Sequence, residues 1–154
     1  MVAGRFDAAD AFRACRPDAV VSIVEPGGDA PGFPCALRLV LAFDDVEGPS
    51  DGGTAPDGAH VGEAIRLARS LPPGATVLVH CEAGLSRSPA VAAVMVCAVS
   101  GRGAAQDFIR DGGPWMPNPL VLDLGDALLA TGGAMADAGR RAASAVRWTG
   151  ANPF

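Results

Sequence analysis

Cys81 and Arg87 stand at the two ends of a loop, Cys81-Glu82-Ala83-Gly84-Leu85-Ser86-Arg87, with His80 before it and Ser88 after it. A cysteine attacks only as its thiolate, and with an ordinary pKa of about 8.5 little thiolate exists in neutral water. Something must therefore stabilise negative charge on the sulfur. A tight loop running into a helix can do so, because it turns successive backbone N–H groups toward one point with the positive end of the helix dipole behind them. Such a nest also binds an external anion. Arg87 adds a planar fork that matches two oxygens of a phosphoryl group. A sulfur nucleophile beneath a phosphate-sized nest is the equipment of covalent phosphoryl transfer. The bland alternative is a cysteine packed in a core.

The flanking residues supply the elements that such a loop requires. Val77-Leu78-Val79 leads into His80 as a buried strand spanning Thr76 to His80. Pro89 suits the first turn of a helix that runs to about Ser100 and is apolar nearly all round, so this helix should be central and buried. Gly101-Arg102-Gly103 should break it, and a short helix through Phe108 and Ile109 should end at Gly112-Gly113. Upstream, Phe6, Ala9 and Phe12 are spaced for a helix that stops before Pro17. Ala19 to Val24 reads as a strand ending in the Pro26-Gly27-Gly28 turn. Cys35 to Phe43 reads as a second strand with Leu37, Leu39 and Leu41 on one face. Gly27 to Pro34 and Asp44 to Pro56 are loops. Asp57 should cap a helix reaching Ser70, with Val61, Ala64, Ile65 and Ala68 as its apolar stripe. Asn118-Pro119 has cap-and-first-turn chemistry for a helix over Leu120 to Ala130. Gly132-Gly133 separates it from a last amphipathic segment, Met135 to Trp148. Strands early and helices late make an α/β domain, residues 1–154 forming one unit around a small central sheet with one helix group behind it.

The wording His-Cys-x2-Gly-x2-Arg-Ser at His80 to Ser88, placed between a strand and a helix, resembles the signature of the protein tyrosine phosphatase superfamily. Ala83-Gly84-Leu85-Ser86-Arg87-Ser88 and the chain's length point to its dual-specificity branch, within which the sequence is similar to compact bacterial phosphatase-like proteins. The resemblance covers roughly Val20 to Leu129. It implies the phosphatase fold, with a small, mostly parallel sheet flanked by helices. It also implies an edge strand before the first helix, for which Met1 to Arg5 is a poor candidate.

Carried onto this chain, the resemblance makes Cys81 the nucleophile. Arg87, together with the backbone of Glu82, Ala83, Gly84, Leu85 and Ser86, becomes the phosphate cradle. Ser88 becomes the donor that eases the sulfur's departure. His80 becomes a support bonded to loop backbone, while the Glu82 carboxylate points away from the anion. The leaving oxygen needs a proton and the attacking water a base, and one carboxyl group can serve both in turn. The family position falls on Asp45, with Asp44 as the alternative acid. Pro117-Asn118-Pro119 resembles a helix opening found in the family and is given a structural role, Trp115 is a candidate pocket wall, and His60 a surface or packing residue.

The bulk properties narrow the rest. The net charge is −5, and all twelve basic residues are arginine. That balance argues against a nucleic-acid surface and against an anionic membrane. No run approaches a transmembrane length, and the N-terminus lacks a basic-then-apolar leader. Cys15, Cys35, Cys81 and Cys97 show no metal-ligand spacing, so no metal or other cofactor is expected. Cys15, Cys35 and Cys97 read as core. A thiolate nucleophile fits a reducing, cytoplasmic compartment. The expectation is a monomeric, metal-independent phosphomonoesterase, acting through a phosphocysteine on a phosphorylated protein or a small phosphomonoester. Its rivals are a low-turnover phosphate-binding or regulatory module and, more weakly, a sulfur-transfer enzyme.

Overall fold

The structure is a computed structural model and describes residues 1–48 and 51–146. Four strands, β1 (Val2–Ala3), β2 (Ala19–Val24), β3 (Leu37–Ala42) and β4 (Val77–His80), form one sheet in the order β1-β4-β2-β3. Every pairing is parallel. Alternation along the strands divides the side chains between two cores. Val21 and Val79 face a large cluster, whereas Val20 and Leu78 face a small one. The small cluster is closed by Ala8 and Phe12 of α1 (Ala8–Cys15), with the half-buried Cys15 and Cys35 at its rim. The large one is closed by α2 (Gly58–Ser70), α3 (Arg87–Asp111), α4 (Pro119–Leu129) and α5 (Ala134–Ala145). The result is three layers with a one-helix side and a four-helix side.

Most elements follow their sequence signals. Asp57 caps α2, its carboxylate accepting from the N–H groups of Ala59 (2.9 Å) and His60 (3.0 Å). The Val61, Ala64, Ile65 and Ala68 stripe is buried as its spacing requires. Gly101 sits at φ 84°, ψ 170°, a left-handed extended conformation open to glycine, and it separates two helical segments within α3. Asn118 caps α4 by accepting from the Val121 N–H at 3.1 Å. The carboxylate of Asp126 is buried and holds the start of α5, accepting from the Met135 (3.1 Å) and Ala136 (2.9 Å) backbone N–H groups and from the Thr131 hydroxyl. The last segment is helical to Ala145; the part expected to reach Trp148 lies outside the described residues.

Four expectations need correction. Met1 to Arg5 does supply the edge strand: β1 pairs in register Val2↔Val79 and Ala3↔His80. Two residues are too short to show periodicity, and the pairing comes from β4's open side. Phe6 does not join an apolar helix face, because α1 starts after it and its side chain is 89% exposed. On β3, Leu41 is buried but Leu37 is exposed, since this strand forms the sheet's other edge. Finally, α3 is long and apolar enough to cross a bilayer by length and composition, contrary to the sequence reading. Its apolar residues from Ala90 to Met95 are instead buried in the large core.

Candidate active site

The loop from Cys81 to Ser86 leaves the C-terminal end of β4 and enters α3 at Arg87. Ligand sites of parallel sheets gather at that end. Cys81 is 3% exposed. Its Sγ lies 3.2 Å from the Ser88 hydroxyl, and the Gly84 N–H donates to it at 3.3 Å. The sulfur thus has one backbone N–H donor and one hydroxyl that can also donate to it. Gly84 has φ 77°, and a Cβ there would stand 2.5 Å from the Gly4 backbone nitrogen. The residue must therefore be glycine both for its backbone angle and for its neighbour. That neighbour is the end of β1, which also meets the loop where Arg5 N–H donates to the Glu82 carbonyl at 2.8 Å. The strand that sequence could not supply thus braces the cradle from beneath.

Arg87 is 4% exposed, and its Nη1 donates to the Phe43 carbonyl at 3.0 Å. Its Nε is buried with no partner among the described residues. A guanidinium N–H left unpaired away from water is costly, and an anion in the adjoining cavity would satisfy it. That cavity has a volume of about 70 Å³ and is walled by Cys81, Arg87, Glu82 and Arg5, with the turn from Glu25 to Pro31 opposite. Ser86 sits at the N-cap of α3 but makes no side-chain cap bond. Its hydroxyl is instead given to Asp45 Oδ1 at 2.7 Å. The amide ends of the first turn remain available, which suits an anion placed on the helix axis.

The two candidate acids occupy different settings. Asp44 Oδ2 accepts from the Thr54 N–H at 2.6 Å, and the two residues also pair through Asp44 N–H and the Thr54 carbonyl at 2.8 Å. This carboxylate folds its own loop. Asp45 is exposed and turned to the cradle, held by Ser86 and by Asn118 Nδ2 at 2.9 Å. Asn118 is a site residue that sequence reading left with a structural role only. Its Nδ2 also donates to the Val46 carbonyl (2.9 Å), and its own N–H to the Ser86 carbonyl (3.2 Å). One fully buried amide therefore joins the acid loop, the cradle and α4.

The placements of His80 and Trp115 differ from expectation, and those of Glu82 and His60 do not. The partner of His80 is the Ser22 hydroxyl on β2, 2.7 Å from Nε2, while Nδ1 has no hydrogen-bond partner among the described residues. Glu82 reaches Arg5 (3.4 Å) in an exposed ion pair. Trp115 packs on Phe108, ring centroids 5.1 Å apart, and over Gly112, and it is not among the residues walling the cavity. His60 closes the α2 cap with Asp57 and tilts against Phe43 at 5.2 Å.

Burial pushes the His80 pKa below its ordinary value, with the backbone of Cys81 opposing and the charge of Arg5 assisting. The folded chain therefore resists a proton that the unfolded chain accepts below about pH 6.5. The His80 contribution to stability is present above that pH and is lost as pH falls toward the depressed folded value. Urea unfolding followed from about pH 7.5 to about pH 5.5 should show this loss in wild type and a smaller one in His80→Gln.

No protein-family model matches the chain, and no curated protein matches it in sequence. Solved structures do match it in shape. DUSP15 superposes with a TM-score of 0.63 at 21% identity, covering 94% of this chain and 90% of that one. Human DUSP28 gives 0.64 at 19% identity, with 84% and 87% covered. The human tyrosine phosphatase-like serine/threonine/tyrosine-interacting protein gives 0.63 at 18%, with 84% and 90% covered.

Proposed function

We propose that this chain, which has the fold of the dual-specificity members of the protein tyrosine phosphatase superfamily, is a cysteine-dependent phosphomonoesterase. Phosphotyrosine in a protein is its leading substrate class, with phosphoserine and phosphothreonine also within reach. The observation that carries the reading is one small cavity lined by both Cys81, whose sulfur is held by Gly84 and Ser88, and the buried Arg87, whose Nε has no partner among the described residues.

In this reading the Cys81 thiolate attacks phosphorus, the P–O ester bond breaks, and Asp45 protonates the leaving oxygen. Arg87 and the loop N–H groups hold the three equatorial oxygens as charge spreads over them. Water then attacks the phosphocysteine, Asp45 takes its proton, and the P–S bond breaks with the electron pair returning to sulfur. The Ser88 hydroxyl, 3.2 Å away, stabilises that returning charge. Inorganic phosphate leaves. No step needs an additional group.

The settings of the two aspartates support Asp45 over Asp44 as the acid. Asp45→Asn should lower kcat by about 100-fold for a phenyl phosphate and by less for p-nitrophenyl phosphate, whose leaving group needs little protonation. Asp44→Asn should act mainly on stability by loosening its loop. Equal loss from Asp45→Asn on both substrates would remove Asp45 from the role.

A second reading, a phosphate-binding module with little turnover, has its own support. The same fold belongs to a protein described as phosphatase-like and interacting, so fold does not separate the two. Hydrolysis of p-nitrophenyl phosphate by fresh reduced protein in the presence of a chelator decides between them. Turnover carries the first reading, and phosphate binding without turnover carries the second.

A further inference from the structure

We infer that the cavity selects phosphomonoesters carrying positive charge beside the phosphate, a phosphotyrosine segment flanked by arginine or lysine being the substrate it fits. This rests on the phosphatase reading above and narrows its substrate class.

The cavity marks itself as an anion site through Arg87, which is 4% exposed and has an Nε without a partner. Once that guanidinium faces a phosphoryl group, the charges left on the walls are Arg5, Glu82, Glu25 and Asp29. Arg5 and Glu82 pair with each other at 3.4 Å and cancel. Glu25 and Asp29 are exposed on the turn that follows β2, and among the described residues neither forms an ion pair. On the acid loop the carboxylates of Asp44 and Asp51 accept from loop backbone N–H groups. No cation of that loop offsets them, because residues 44–57 contain no arginine or lysine. The rim around a buried cationic anchor is thus acidic, on a chain whose net charge is −5. Acidic groups flanking the phosphate would meet like charge, and basic ones would meet unpaired carboxylates. These carboxylates are exposed, so the effect is moderate and screened by salt. Small phosphomonoesters bearing an ammonium group share this chemistry with basic peptides.

The test compares kcat/KM for two phosphotyrosine peptides that differ only in having arginine or glutamate beside the phosphotyrosine. The arginine peptide should be favoured by about tenfold near 0.05 M salt, and the ratio should shrink toward about twofold near 0.5 M. Glu25→Gln with Asp29→Asn should bring the low-salt ratio to within about twofold of one. The same charge change made elsewhere, Asp107→Asn with Asp137→Asn, should keep it. A neutral aryl phosphate assayed in parallel reads the phosphatase activity by itself. If that substrate is hydrolysed while the two peptides react equally, or stay unequal in the Glu25/Asp29 variant, the inference is overturned and the phosphatase reading stands. If nothing turns over, the ratio is read from the peptides' dissociation constants, where equal affinities overturn it. A preference confined to ammonium-bearing alkyl phosphates, absent from the peptides, would reject the peptide assignment.

Discussion

Cys81→Ser should reduce metal-free hydrolysis of aryl phosphates by about 10⁴-fold or more, equivalent to at least about 5.4 kcal/mol of transition-state stabilisation. The argument is local. The Gly84 N–H and the Ser88 hydroxyl lie 3.3 and 3.2 Å from the sulfur, and they help only an atom that can carry negative charge at neutral pH. A thiol does so within reach of its ordinary pKa, whereas an alcohol does not. The exchange is nearly isosteric in a site 3% exposed, so the fold and the cradle should persist. Affinity for a phosphopeptide should then change little while turnover disappears. That split, measured by calorimetry beside initial rates, separates a missing nucleophile from a damaged pocket. Loss of binding and turnover together would point to collapse of the loop instead.

Arg87→Lys should lower kcat/KM by about 10³-fold although the charge is kept. The guanidinium does two things that an ammonium cannot do together. Its Nη1 reaches the Phe43 carbonyl at 3.0 Å, fixing the backbone that leads to Asp44 and Asp45, while Nε stays unpaired beside the cavity. A lysine could satisfy one of these positions and would leave the other open. The unpaired Nε also implies that an anion bound beside it would relieve a desolvation cost. Inorganic phosphate or vanadate should therefore raise the melting temperature of wild type, by an amount set by mass action, and should raise that of Arg87→Lys much less. Equal stabilisation of both proteins would mean that the anion binds elsewhere.

What sequence disclosed, and what it did not, follows the range of the interactions concerned. The ends of α2 and α4 were readable because Asp57 and Asn118 bond N–H groups two or three residues away. The break at Gly101 was readable because it is a property of one residue. The cradle was readable because its parts are contiguous from His80 to Ser88. By contrast, β1 owes its existence to β4, 77 residues further on, and its two residues carry no pattern of their own. The bond between Asn118 and Asp45 spans 73 positions and leaves no local trace. The cap chemistry of Asn118 even concealed its second role, because one side-chain atom caps α4 while the other binds the acid loop. Trp115 reads from the sequence as a candidate pocket wall, yet Gly112 and Phe108 offer it a nearer surface. The same distance effect applies to the acidic rim. Glu25 and Asp29 belong to a turn that composition marks only as loop, and sheet order brings β2 beside β4 and so places that turn across from Cys81.

The most direct measurement is a rapid chemical quench of reduced wild-type protein mixed with a phosphotyrosine peptide and a chelator, followed by mass spectrometry of its proteolytic fragments. The account predicts one phosphoryl group on the fragment containing Cys81, appearing before the steady state and absent from Cys81→Ser. Turnover with no phosphoryl group on that fragment, or turnover that survives in Cys81→Ser, would contradict it.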